Sequence, residues 1–218
     1  MNEVDYEKFG CEIAKSTSGR ERRFSQKIGL KNLIAVPVRT KGVSSQGVHN
    51  NCLANVIRMV YRYGGQMLVG WSYRETPAGA ADDFLRHAVW VNPEGRAVCL
   101  TPANHTSENP TTTVTNSEGE WCVALYPTAT YSQSEIISIV EKGEGKLQWA
   151  TNNVFKEKAG LGYFPTDPET FTNQGANGRF VMANPKTLRN MMSLELPVTQ
   201  KFLDGLKSKD GFLPEVFE

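Results

Sequence analysis

The chain has no excess of charge of either sign. It carries 24 Lys and Arg against 23 Asp and Glu, a formal net charge of +1. Neutralising many phosphates needs a basic surplus, so nucleic acid is excluded as the main partner. An acidic disordered tail is excluded on the same ground. No run of about 18 apolar residues occurs, so no transmembrane helix and no membrane partner are expected. The first thirty residues hold Glu3, Asp5, Glu7 and Glu12 and no apolar stretch, which predicts no signal peptide. Cysteine is scarce: the four stand at Cys11, Cys52, Cys99 and Cys122, with no CxxC pair. That is too sparse for a disulfide scaffold and predicts a reducing, cytoplasmic setting. There is no internal repeat. Gly160-Leu161-Gly162 lacks the lysine of a phosphate loop, so no nucleotide cofactor is expected. What remains is 218 residues, 39% hydrophobic and 22% charged, which suits one globular domain with an extension.

Local patterns predict an α+β fold. Residues 1–30 read as an N-terminal arm, in which Val4, Phe9 and Ile13 line one side of a short helix. Arg20, Arg22 and Arg23 read as a solvated cluster. Leu33 to Val38 reads as a strand, with Pro37 demanding an edge or a bulge. Gly42 to Asn51 is a polar loop. After it Leu53, Val56, Ile57, Val60 and Tyr61 recur at helical spacing, with Asn50 or Asn51 as N-cap and Gly64-Gly65 as the stop. Strands are predicted at 66–73, 87–91, 97–101 and 121–126. Asn92-Pro93-Glu94-Gly95 is a turn, so 87–91 and 97–101 should pair as a hairpin. Residues 103–119 read as a loop and 134–142 as a helix. Residues 143–180 are Gly/Asn/Thr-rich, and 186–194 and 198–208 read as helices. The division is therefore an arm (1–30), a core (31–142) and a loop-rich, helical extension (143–218).

Cys52 sits where the first turn of the predicted helix begins. Free N–H groups and the helix dipole there favour an anion, which would lower a thiol pKa. A lone cysteine at such a place is otherwise a small packed residue. His87 opens the first hairpin strand, where an imidazole can reach a thiol on a packed helix. By itself it reads as an edge histidine. Gln46, six residues before Cys52, is an amide able to join the Cys52 N–H in holding an oxyanion. The order Gln, Cys at a helix start, His on a strand is more informative than its parts. Trp71 and Trp90 are candidates to wall a groove beside Cys52, against the ordinary reading of aromatics as core.

Gln46 ahead of Cys52 at a helix start resembles the papain-like cysteine protease arrangement. Asn51-Cys52-Leu53-Ala54-Asn55-Val56, Gly64-Gly65, Gly70-Trp71, His87-Ala88-Val89-Trp90, Gly95 and Thr101-Pro102 resemble a pattern in small bacterial and phage proteins. The His-Ala-Val-Trp hairpin is also similar to transglutaminase-like and NlpC/P60-like proteins. The resemblance covers roughly residues 44–102. It implies a papain-like core, the nucleophile helix packed on a small antiparallel sheet, with Cys52 and His87 catalytic and Gln46 at the oxyanion. Trp71, Trp90 and Asn55 are the candidate substrate-binding residues.

Two positions depart from the pattern. Leu53 replaces the usual His, and Cys99 stands where an Asp would orient the imidazole. Cysteine is a poor acceptor for an imidazole Nδ1–H. Asn104 is then the best substitute, with Asn92 and Thr101 behind it. Cys99, His105 and Cys122, with Cys52 or His49, lack the close spacing of structural zinc, so no metal is expected. The expected function is a cytoplasmic cysteine hydrolase or acyltransferase on an amide, peptide or isopeptide bond. The alternative is a binding module of the same fold, impaired in catalysis, that holds a protein partner or small ligand.

Overall fold

The computed structural model describes residues 6–14, 22, 25–26, 29–39, 52–74, 82–101 and 113–147, with the strand segments 155–158, 161–165, 180–183 and 196–197. Gln46, His49, Asn104, His105 and the helices expected at 186–194 and 198–208 lie outside them. In chain order the elements are β1 (Glu12–Ile13), β2 (Ile34–Pro37), α1 (Cys52–Tyr63), β3 (Gln66–Arg74), β4 (Asp82–Val91), β5 (Ala97–Val98) and β6 (Thr113–Thr115). There follow β7 (Trp121–Ser132), α2 (Gln133–Ile137), β8 (Lys146–Leu147), β9 (Phe155–Lys158), β10 (Leu161–Pro165), β11 (Phe180–Ala183) and β12 (Leu196–Pro197). This is a mixed α/β arrangement whose sheet pairings are antiparallel, in the order β1-β2-β7-β3-β4-β9-β10-β11.

The central strands nearly close on themselves. β5 pairs with β4 through Trp90 opposite Val98 and Val91 opposite Ala97. The next residue, Cys99, leaves that hairpin and bridges Val38, just past β2. The Cys99 N–H donates to the Pro37 carbonyl at 2.8 Å, and the Arg39 N–H donates to the Cys99 carbonyl at 3.0 Å. Strands β2, β7, β3, β4 and β5 thus form a ring, and inward side chains such as Ile34, Val36, Leu68, Val89 and Leu125 fill it. Pro37 fits at the end of β2 because its carbonyl, not an N–H, is what the closure uses.

Outside the ring, α1 covers one face of β3 and β4. Leu53, Val56, Ile57 and Val60 pack on Met67, Val69 and Ala88, with Ile136 and Ile139 closing the far side. Period-two alternation explains the split: Met67 and Val69 face the helix, and Leu68 faces the ring. Gly65 makes the sharp turn from α1 into β3. Its φ is +86°, and a Cβ there would stand 2.1 Å from the Val91 carbonyl oxygen. Gly70 is required by contact instead, since its Cβ would meet the Tyr126 carbonyl oxygen at 2.3 Å.

Several expectations differ from the structure. The short helix expected of Val4, Phe9 and Ile13 is a single 3-10 turn at Glu7–Phe9, ended by left-handed Gly10, and β-branched Ile13 joins a strand. The loop expected at 103–119 contains β6, where Thr113-Val114-Thr115 pairs with β7. The second hairpin strand ends at Val98 rather than 101, because Cys99 is drawn to β2. The helix expected at 134–142 is present, as α2 capped by Ser132 and Glu135 and continuing as a π turn over Ser138–Lys142. The described parts of the C-terminal extension are strands, and β9 extends the main sheet by pairing with Asp82–Phe84.

Candidate functional site

Cys52 is the first residue of α1 and is buried. Its position follows from the chain: the apolar face of α1 pins the helix to the sheet, and the helix start falls against the outer edge of β4. That edge is covered by β9 at Asp82–Phe84 and by β5 at Trp90–Val91, which leaves Leu85–Val89 with no strand on the side away from β3 among the described residues. The thiol sits at this gap. The backbone groups of Ala88, Leu53 and Cys52 itself hydrogen-bond it and favour the thiolate. Burial outweighs them and pushes the Cys52 thiol up to about 11. The expectation of a lowered thiol pKa is thereby corrected: a helix terminus contributes little against desolvation of a sulfur anion in an apolar cluster.

His87 lies opposite Gly70 in the β3–β4 ladder. By alternation its side chain starts on the ring face with Val89, while Ala88 starts on the helix face. The Cys52 sulfur, bound by the Ala88 N–H, is therefore one peptide from the His87 Cα, at the strand edge where the two faces meet. A bulge next to Gly70 shapes this point: Val69 pairs with Ala129 and Gly70 with Pro127. The extra residue, Thr128, donates its hydroxyl to the Val69 carbonyl at 3.3 Å.

The third member of the cluster is Cys99. Its sulfur is 3.2 Å from His87 Nε2. The sequence reading placed this position opposite Nδ1, whereas the structure brings it to Nε2. Burial pushes the Cys99 thiol up to about 12, and the nearby Cys52 sulfur adds to the rise. Burial lowers His87 to about 4. At neutral pH the cluster therefore rests as two thiols and a neutral imidazole, without a thiolate–imidazolium pair.

The remaining predicted residues among the described ones are packed. Trp71 is 1% exposed, so its ring does not wall an open groove. Trp90 donates its indole N–H to the Gly64 carbonyl at 2.9 Å, tying β4 to the end of α1. Asn55 is buried and donates to Thr101 Oγ1 at 3.5 Å, joining α1 to the segment beyond Cys99. Sequence reasoning missed the Ala88 N–H, because a backbone donor leaves no trace in residue type. Among the described residues no group of three or more His, Cys, Asp or Glu side chains is placed to hold a metal ion. Cys11 and Cys122 lie near each other but belong elsewhere, with the Cys11 thiol donating to the Phe9 carbonyl at 3.7 Å.

A separate polar cleft of about 530 Å³ opens beside the ring closure, lined by residues including Glu12, Arg39, Arg96, Asn116 and Glu120. Arg39 and Glu120 form an ion pair across it, which holds the Glu120 carboxyl below its usual range. Among the described residues no helix is long and apolar enough to cross a membrane. Comparison of the chain with protein-family models, with curated proteins and with solved structures finds no match.

Proposed function

We propose that the chain is a cytoplasmic, papain-like cysteine hydrolase or acyltransferase that acts on an amide, peptide or isopeptide bond. The observation that supports this reading best is the hydrogen bond between the sulfur of Cys52, at a helix start, and the backbone of Ala88, the residue after His87 on β4. The resting thiol is neutral, so the proton leaves Cys52 for His87 as the sulfur attacks the carbonyl carbon. His87 then returns the proton to the leaving amine. The Cys52 N–H and the Gln46 amide hold the developing oxyanion. The acyl group on Cys52 passes to water or to a second nucleophile. The test is a single-turnover assay on a generic thioester, run beside a thermal melt. Turnover in the wild type that is lost in Cys52→Ala with an unchanged melt is the expected result. Turnover retained in Cys52→Ala overturns the reading.

A second reading is favoured by Cys99, which cannot supply the carboxylate of a working triad, and by the polar cleft away from Cys52. In it the chain is a binding module of the same fold that holds a protein partner or a small ligand. Wild type without turnover and without an acylated Cys52 favours this alternative.

A further inference from the structure

The single proton of the Cys99 thiol decides which nitrogen of His87 is free. Two acceptors lie within its reach: His87 Nε2 at 3.2 Å and the Thr101 carbonyl at 4.0 Å. The nearer one is also the better one. An unprotonated imidazole nitrogen is a strong acceptor, whereas a thiol sulfur accepts weakly from an N–H. The sulfur's own accepting capacity is engaged by a backbone hydrogen bond from Thr101. We propose that Cys99 donates its S–H to His87 Nε2 and so holds the imidazole as the Nδ1–H tautomer at rest.

An aspartate at this position acts in the opposite sense. It accepts from Nε2–H and leaves Nδ1 bare. With Cys99, Nδ1 carries the proton and cannot take another. Cys99 is thus a positioning residue that sets the resting tautomer. Turning the S–H from Nε2 to the Thr101 carbonyl removes that preference and frees the ring to take the Nε2–H tautomer, with Nδ1 bare. No bond between heavy atoms changes: the thiol rotates, and one proton leaves Nδ1 for water at the partly exposed ring while another is taken from water at Nε2. The hydrogen bond from Asn55 to Thr101 Oγ1 gives α1 a hold on the same carbonyl-bearing residue. The chemical consequence for turnover rests on the hydrolase reading; the tautomer itself does not.

The experiment is nitrogen-15 NMR of histidine-labelled protein at neutral pH. The chain has three histidines, so His87→Gln assigns the relevant ring. The wild type should show a protonated Nδ1 and a bare Nε2. Cys99→Ser, which keeps a donor, should show the same tautomer. Cys99→Ala should lose it, and Cys99→Asp should reverse it. A wild-type ring protonated at Nε2 overturns the proposal, as does a ring unchanged in Cys99→Ala. The Ser and Ala variants carry the test if the buried Asp prevents folding. In the thioester assay Cys99→Asp should accelerate acylation, by up to the order of 10⁴ that a wrong tautomer costs a Ser–His–Asp triad. The ring spectra decide the tautomer and the assay decides the function, so the two failures are distinguishable.

Discussion

Acid should destabilise the protein through His87. Its ring sits partly buried, and burial lowers its pKa from 6.5 to about 4. The unfolded chain takes up a proton near pH 6.5, while the folded chain refuses it until about pH 4. The sign follows: the contribution is fully present above pH 6.5 and is lost as the pH falls toward 4. A shift of this size corresponds to a loss of about 2 kcal/mol at pH 5 and about 3 kcal/mol at pH 4. These are upper values, because the ring keeps some contact with solvent. The carboxylates of Glu12 and Glu120, held low by Ser117 and Arg39, also lose stability in acid, so wild type alone does not isolate the histidine. The comparison is urea unfolding of wild type and His87→Gln at pH 7, 5 and 4. The wild type should lose more stability than the variant by roughly the amounts above. Parallel pH profiles would falsify a neutral, desolvated imidazole.

Three stability predictions come from the scaffold around the site. Gly65→Ala places a methyl against the Val91 carbonyl at positive φ. It should cost several kcal/mol, on the order of 3, seen as a large fall in Tm or loss of folded protein. Trp90→Phe keeps the apolar contact with α1 but leaves the Gly64 carbonyl without its indole donor. It should cost about 1–2 kcal/mol in urea unfolding, with no change of acylation site. Ser132→Ala removes the side-chain half of the cap of α2, in which the Ser132 hydroxyl accepts from the Glu135 N–H at 3.4 Å. It should cost about 1 kcal/mol, and a loss below about 0.3 kcal/mol would argue against the cap.

The sequence exposes what is local. Leu53, Val56, Ile57 and Val60 at helical spacing, with Gly64-Gly65 behind them, mark α1 because its apolar stripe is written in consecutive turns. The Asn92 to Gly95 turn likewise marks the hairpin, and Asn92 accepts the Arg96 N–H at 2.8 Å as such a turn requires. The closure of the ring through Cys99 and Val38 joins residues 61 positions apart and has no local signature. That closure ends the hairpin early and turns Cys99 to Nε2. β4 starts at Asp82, earlier than its polar residues suggest, because β3 and β9 supply ladder partners on both sides. The charge state of Cys52 was misread for a similar reason. A helix start is visible in sequence, but the depth at which tertiary packing buries it is not.

The most direct test of Cys52 and His87 as a working pair is to trap the acyl intermediate and locate it. The wild type is incubated with an activated thioester, quenched in acid and mapped by peptide mass spectrometry beside Cys52→Ala and His87→Gln. One acyl group on the peptide carrying Cys52 is expected, absent from Cys52→Ala and formed on the order of 10²–10⁴ times more slowly in His87→Gln. An unmodified Cys52 in wild type, or equal acylation in His87→Gln, contradicts the account.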